Sequence, residues 1–218
     1  MKVIITGATG MVGEGVLHEC LHHKDIEEIL VVNRRSLGLQ HPKLKELIHA
    51  NFFDLSAVEN KFKGYDACFF CLGVSSVGKN EPEYFRLTYS LTMEFANVLS
   101  KQNPNMTFCY ISGAGANSAE KGKSMWARIK GKTENDLQKL AFKRAYCFRP
   151  AFIRPTKGLK NTHKFYIYID FLYPLFLLLF SKYVCTLKEL SLAIINAARI
   201  GYPISVMEVR DIVKLSKQ

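Results

Sequence analysis

A chain of 218 residues, 48% hydrophobic and 22% charged, is long enough to bury one good core, and a single domain over 1–218 is expected, with residues 151–218 as a C-terminal, substrate-side region. The formal net charge of +11 directs attention to anionic partners, but no recognisable module of interleaved aromatic and basic residues accompanies it, which argues against nucleic acid. Six cysteines (Cys20, Cys68, Cys71, Cys109, Cys147 and Cys185) lie mostly in apolar runs without zinc spacing, so no metal site is expected and the thiols read as reduced core residues.

Lys2 to Thr6 is an apolar strand that runs directly into Gly7, Gly10 and Gly13 and then into an apolar helix, Met11 to His22. A strand, three glycines at this spacing and a helix make a place for a dinucleotide pyrophosphate. The first glycine permits a tight turn, the second lets backbone approach a phosphate, and the third lets the helix start close to the strand with its N–H groups facing the anion. Thr6, Gly7, Thr9, Gly10, Met11, Val12 and Gly13 are therefore candidate cofactor contacts. A strand starting at residue 2 leaves no room for a cleavable signal peptide, and with reduced cysteines this gives the expectation of a cytosolic protein, with a peripheral membrane contact as its one extension.

Glu28 to Arg34 reads as a second buried strand, Lys45 to Ala50 as a short third, and Asp66 to Leu72 as a fourth closed by Gly73. Glu83 to Ser100 is helical, with Tyr84, Thr88, Leu91, Phe95 and Val98 on one stripe. Thr107 to Ile111 is a fifth strand, followed by the turn Ser112-Gly113-Ala114-Gly115. A helix from about Ser124 to Phe142 follows, then a sixth strand, Ala145 to Arg149, stopped by Pro150. The alternation predicts an α/β fold of the Rossmann type, a doubly wound parallel sheet with helices on both faces and ligands at the carboxyl ends of the strands. Beyond it, Phe165 to Phe180 is almost wholly apolar but too short and interrupted to span a bilayer, Thr186 to Ile200 is an amphipathic helix, and Ile204 to Val209 a last short strand.

The second strand ends in Asn33-Arg34-Arg35-Ser36, about 20 residues past the third glycine, where NAD sites place a carboxylate and an arginine accommodates a 2′-phosphate. No acidic residue stands in this loop, and a guanidinium fork suits phosphate oxygens, so NADP is favoured over NAD. Asp54 is the candidate partner of the adenine amino group, and Leu72 and Gly73 close the fourth strand where backbone passes near the cofactor.

The glycine motif, the Asn33-Arg34-Arg35 loop, Cys71-Leu72-Gly73, the Ser112 turn, the segment Trp126-Ala127-Arg128-Ile129-Lys130-Gly131 and Phe148-Arg149-Pro150 together resemble an atypical short-chain dehydrogenase/reductase. The chain is most similar to the NAD(P)-dependent epimerase/dehydratase-like branch that includes the Tat-interacting protein family. The resemblance covers nearly the whole chain to about residue 155. It implies a Rossmann fold, NADP as the usual cofactor, and a catalytic set of Ser and Tyr-x-x-x-Lys. Ser112 and Lys130 match that set, but the position four before Lys130 holds Trp126. An indole N–H is a donor only and is no acid at neutral pH. Cofactor binding is expected to survive this change and tyrosine-type proton transfer is not, which leaves Lys130, Tyr110, Tyr84 or an ordered water as substitutes.

Between Lys121 and Lys164 stand thirteen Lys/Arg against two Asp/Glu, so the whole chain's excess of positive charge is local. A basic mouth draws in an anionic cofactor and an acidic substrate. Next to the apolar run Phe165 to Phe180 it also reads as a surface for an anionic membrane or for a second subunit, against the plainer reading of solvated charges and a buried apolar run. Two functions from different classes follow. One is an NADP-dependent oxidoreductase or epimerase-like enzyme acting on a small carbonyl or hydroxyl substrate, hydrophobic or acidic. The other is a catalytically impaired NADPH-sensing regulator or adaptor that presents the basic and apolar surface to a protein or membrane.

Overall fold

The computed structural model describes residues 1–161 and 181–218. Seven parallel strands form its central sheet: β1 (Lys2–Thr6), β2 (Glu28–Asn33), β3 (Leu44–Ile48), β4 (Ala67–Phe70), β5 (Thr107–Ile111), β6 (Arg144–Arg149) and β9 (Val206–Glu208). Their spatial order is β3-β2-β1-β4-β5-β6-β9. β7 (Phe152–Arg154) and β8 (Val184–Thr186) make a separate parallel pair that the sequence pattern does not reveal, because three residues are too few to show a period. The segment expected to be apolar and partner-facing, Phe165 to Phe180, lies outside the described residues. No described helix is long and apolar enough to cross a membrane.

Parallel strands covered on both faces need apolar residues at every position, and the strands here divide theirs between two cores. Val3 and Ile5, Ile29 and Val31, and Ala67 and Phe69 face one side, where α1 (Met11–His22), α5 (Leu187–Arg199) and α6 (Val209–Leu215) pack through Val16, Leu17, Leu190, Ile194 and Ile212. Ile4, Leu30 and Val32, and Cys68 and Phe70 face the other, against Phe52, Phe62, Phe95, Leu99 and Leu137. The period of two thus appears as an assignment to faces and not as an alternation of polarity. Helices α1 and α5 approach so closely that a Cβ on Gly15 would lie 2.4 Å from Leu187 Cγ.

On the second face the helix expected over Glu83 to Ser100 runs longer and is not uniform. It comprises α2 (Glu81–Phe85), a π-helical stretch over Arg86–Ser90, and α3 (Leu91–Gln102). The helix expected to reach Phe142 stops earlier, as α4 (Met125–Leu137), and the chain turns before β6. α5 starts on a full capping box, with Thr186 Oγ1 accepting from the Glu189 amide at 3.0 Å and the Glu189 carboxylate accepting from the Thr186 amide at 2.7 Å. All six cysteines are free and five are fully buried, their thiols pushed up by burial.

Candidate cofactor and catalytic site

At the end of β1 the chain turns at Gly7, whose φ of +71° belongs to the left-handed region. A Cβ there would stand 2.7 Å from the Cys71 carbonyl carbon and the Leu72 nitrogen, so the β1 and β4 turns meet only because residue 7 has no side chain. Gly13 is under the same demand from the other direction, its Cβ position lying 2.2 Å from the Gly7 carbonyl oxygen. Gly10, by contrast, has room for a Cβ, its nearest neighbour being the Gly7 oxygen at 3.5 Å from that position. Gly10 is the N-cap of α1 and carries no capping side chain. The first N–H groups of α1 are therefore left for an external acceptor, the arrangement that binds phosphate. Thr6 is fully buried, with its hydroxyl 3.4 Å from the Leu72 amide, while Thr9 and Gly10 are exposed and Met11 and Val12 half-buried.

A cleft of about 620 Å³ opens at this point, lined by Gly7, Thr9, Val32, Asn33, Arg34, Arg35, Ser36, Phe52 and Leu72. It lies where strand order reverses between β2 and β4 on either side of β1, the crevice in which open α/β sheets bind ligands. Arg34 and Arg35 are exposed, whereas Asn33 is buried with its Nδ2 lacking a hydrogen-bond partner. A cradle that side chains would fill, a helix start without a cap, an orphan amide and two arginines at one cleft together fit a dinucleotide. Gly73 is exposed with open space on its side-chain side. Asp54 does not line the cleft. It closes a turn in which its Oδ1 accepts from the Ser56 amide at 3.1 Å and hydroxyl at 2.7 Å, bonds that hold its carboxyl below the usual range. Phe52, which the sequence does not single out, lines the cleft instead.

One carboxylate does stand near the arginine loop. Glu46 on β3 accepts from the Ser36 hydroxyl at 2.5 Å and the Leu37 amide at 2.8 Å. The loop is free of acid in sequence but not in space, because the β2–β3 register brings a residue ten positions on beside it.

The second half of the site lies at the ends of β5 and β6. The Ser112 amide donates to the Phe148 carbonyl at 2.8 Å and the Ala114 amide to the Pro150 carbonyl at 2.9 Å, which fixes the turn after β5 against β6. Ser112 Oγ is buried and has no partner. The Trp126 indole lies against this turn, its Cη2 3.2 Å from the position of a Gly115 Cβ and its Cζ3 4.0 Å from that of Gly113. Lys130, one turn along α4, donates to the Ile111 carbonyl at 3.0 Å, and its Nζ stands 4.7 Å from the Tyr110 ring centroid. Burial pulls its pKa down to about 8, while the Glu134 carboxylate acts in the opposite direction.

The structure thus brings Ser112, Trp126 and Lys130 to one turn. Tyr110 and Tyr84, the alternative proton sources, are core residues at 1% and 2% exposure, and burial raises both phenols. The Tyr110 hydroxyl faces Thr133 Oγ1, which is committed to the Ile129 carbonyl at 2.8 Å, and no hydrogen bond of good geometry forms between them.

Much of the basic segment is paired. Arg149 contacts the fully buried Glu134 through Nη2, with Nε at 3.0 Å, and also Glu208 at 3.2 Å. Arg128 pairs with Glu81 at 2.7 Å, and Lys132 and Lys139 share Asp136 at 2.8 and 2.6 Å. The charge excess read along the chain is smaller in space, because Glu81 and Glu208 from distant segments meet it.

An open parallel sheet with a glycine cradle at its switch point defines a dinucleotide-binding α/β protein. Residues 3–145 match the NAD dependent epimerase/dehydratase family, and the chain belongs to that family. It is 27% identical over 158 residues to Protein FMP52, mitochondrial, of Meyerozyma guilliermondii, a match covering 70% of this chain and 65% of that protein. To Protein HTATIP2 of Rattus norvegicus it is 25% identical, over 70% of this chain and 62% of the relative. The chain thus matches just under two thirds of the length of these relatives. Among solved structures, MoeE5 in complex with UDP-glucose and NAD superposes with a TM-score of 0.66 at 14% identity, over 99% of this chain and 81% of that one, a likeness of fold.

The expectation of a cytosolic protein is corrected by these relatives, since the FMP52 proteins of several fungi are named mitochondrial. Free, buried cysteines report core packing and not a compartment, and they carried more of that expectation than they support.

Proposed function

We propose that this family member binds NADP and acts as an oxidoreductase or epimerase-like enzyme on a small carbonyl or hydroxyl substrate, with a proton-transfer arrangement that does not use tyrosine. The observation that carries the reading is the cleft where Gly7, Thr9, Asn33, Arg34 and Arg35 meet at the uncapped start of α1. The α1 amides hold the pyrophosphate, and Arg34 and Arg35 take the 2′-phosphate that distinguishes NADP from NAD. When bound, the nicotinamide supplies a hydride acceptor or donor.

On the substrate side, Ser112 Oγ is an unpartnered hydroxyl able to bond a substrate oxygen. Lys130 serves as ribose contact and, with its pKa near 8, as the group best able to move a proton at neutral pH. Trp126, half-buried against the Gly113–Gly115 turn, shapes the substrate side and supplies no proton. Calorimetric titration of both cofactors tests the cofactor half. NADPH should bind one to two decades more tightly than NADH, since a charged pair of this kind is worth roughly 1.5–3 kcal/mol, and Arg34→Ala should remove most of the difference. Equal affinities, or an NADH preference that Arg34→Ala leaves unchanged, refute the NADP reading.

Trp126 favours a second reading, a catalytically impaired NADPH sensor. NADPH binding without turnover across a panel of aldehydes, ketones and secondary alcohols selects it over the enzyme.

A further inference from the structure

We propose that Glu46 is a positioning residue for cofactor choice: its carboxylate, reaching across from β3, holds the Arg34-Arg35-Ser36 turn in the shape that receives a 2′-phosphate. The inference rests on the NADP reading above. The parallel register sets Glu46 opposite Val31, two residues before the end of β2, so its side chain reaches the turn that follows that strand. One oxygen takes the Ser36 hydroxyl at 2.5 Å and the other the Leu37 amide at 2.8 Å. Ser36 Oγ in turn accepts from the amide of Gly38 at 3.1 Å, and Gly38 adopts a φ of +63°. A single carboxylate thus organises the three residues that follow Arg35, on a surface loop whose arginines are exposed.

A loop that must be ordered on binding weakens affinity, and charge-assisted hydrogen bonds to a carboxylate order it beforehand. The negative charge itself acts the other way, since it repels an incoming phosphate. Tether and charge therefore make opposite predictions, and glutamine separates them because it keeps an acceptor for the Leu37 amide and a group that bonds the Ser36 hydroxyl. A direct role for Glu46 as acceptor of a ribose hydroxyl is disfavoured by its geometry. Both of its oxygens already hold donors, and Ser36 lines the cleft while Glu46 does not.

The test is calorimetric titration of the full chain with NADPH and with NADH, for wild type, Glu46→Ala, Glu46→Gln and Ser36→Ala. Glu46→Ala should weaken NADPH roughly tenfold and NADH by less than about twofold, so that the affinity ratio falls. Glu46→Gln should keep or raise the ratio. Ser36→Ala, an exposed loop substitution that does not threaten folding, should lower the ratio by a smaller factor.

A wild type that prefers NADPH, with a ratio moved by neither Glu46→Ala nor Ser36→Ala, overturns the role of Glu46 and leaves the NADP reading standing. A loss confined to NADH in Glu46→Ala makes Glu46 a ribose acceptor and also overturns it, as does a Glu46→Gln ratio that falls as far as that of alanine. A wild type that binds neither dinucleotide, or both equally, overturns the NADP reading and this inference with it.

Discussion

The turns after β1 and β2 and the turn after β5 are all loops at the carboxyl ends of parallel strands in one sheet, yet most of their polar groups are held differently. At the first, Thr9, Arg34 and Arg35 are exposed to solvent and the Gly10 amide donates to the Gly7 carbonyl at 2.9 Å, with Asn33 Nδ2 the buried exception that lacks a partner. At the second, Ser112 Oγ and the Tyr110 hydroxyl are buried without partners, Lys130 is held by the Ile111 carbonyl, and Trp126 lies against the turn. Burying a polar group unpaired costs free energy, so such groups persist where something else in the fold, or a ligand, makes up the loss. The first region has room for changes in its exposed residues and at Gly10, but none at Gly7 or Gly13. The second is constrained throughout by packing and by charge.

The largest effect is expected from the charge beneath the second region. Arg149→Met leaves Glu134 buried without its main cation and should cost about 3–5 kcal/mol of stability, read from urea unfolding, with dinucleotide affinity of the folded protein little changed. A loss under 1 kcal/mol would mean that the pair is not what holds this half together. Gly13→Ala tests the first region by forcing a Cβ onto the Gly7 carbonyl. It should cost about 2–3 kcal/mol and abolish measurable dinucleotide binding, whereas Gly10→Ala, whose Cβ would make only an ordinary contact, should weaken binding more than it destabilises.

Trp126 sharpens the contrast in chemistry. If the missing phenol limits turnover, Trp126→Tyr should raise reductase activity by roughly tenfold or more, and Trp126→Phe should retain what activity exists. Loss of activity in Trp126→Phe with cofactor affinity intact would give the indole N–H a role that the present reading denies it.

The smallest effect is a pH dependence. Burial makes the Lys130 ammonium harder to keep charged in the fold than in the unfolded chain, so the penalty is complete below about pH 8 and is relieved as pH rises toward the ordinary lysine value near 10.5. The stability of Lys130→Met relative to wild type should therefore be greatest at pH 7 and shrink by pH 9.5. A pH-independent difference in urea midpoint between the two proteins would show that the ammonium is not desolvated.

By itself the sequence determined the architecture of the sheet and the location of the cradle. Fully apolar strands require two covered faces, and Gly7 and Gly13 sit where the backbone of β4 and of the first turn leave no volume for a Cβ, both local consequences of residue type at fixed spacing. The family resemblance pointed to Ser112, Trp126 and Lys130, and the structure sets Trp126 and Lys130 of α4 beside the turn that follows β5. What required the tertiary structure is what distant segments do to each other. Phe52 enters the cleft, Glu46 reaches the arginine loop, and Glu81 and Glu208 meet the basic segment, while Asp54 is taken up by Ser56. Tyr110 and Tyr84 are removed as proton sources by burial. Electrostatic pairing and desolvation depend on distance and burial through space, which a one-dimensional pattern does not encode, whereas periodicity and glycine geometry are written along the chain.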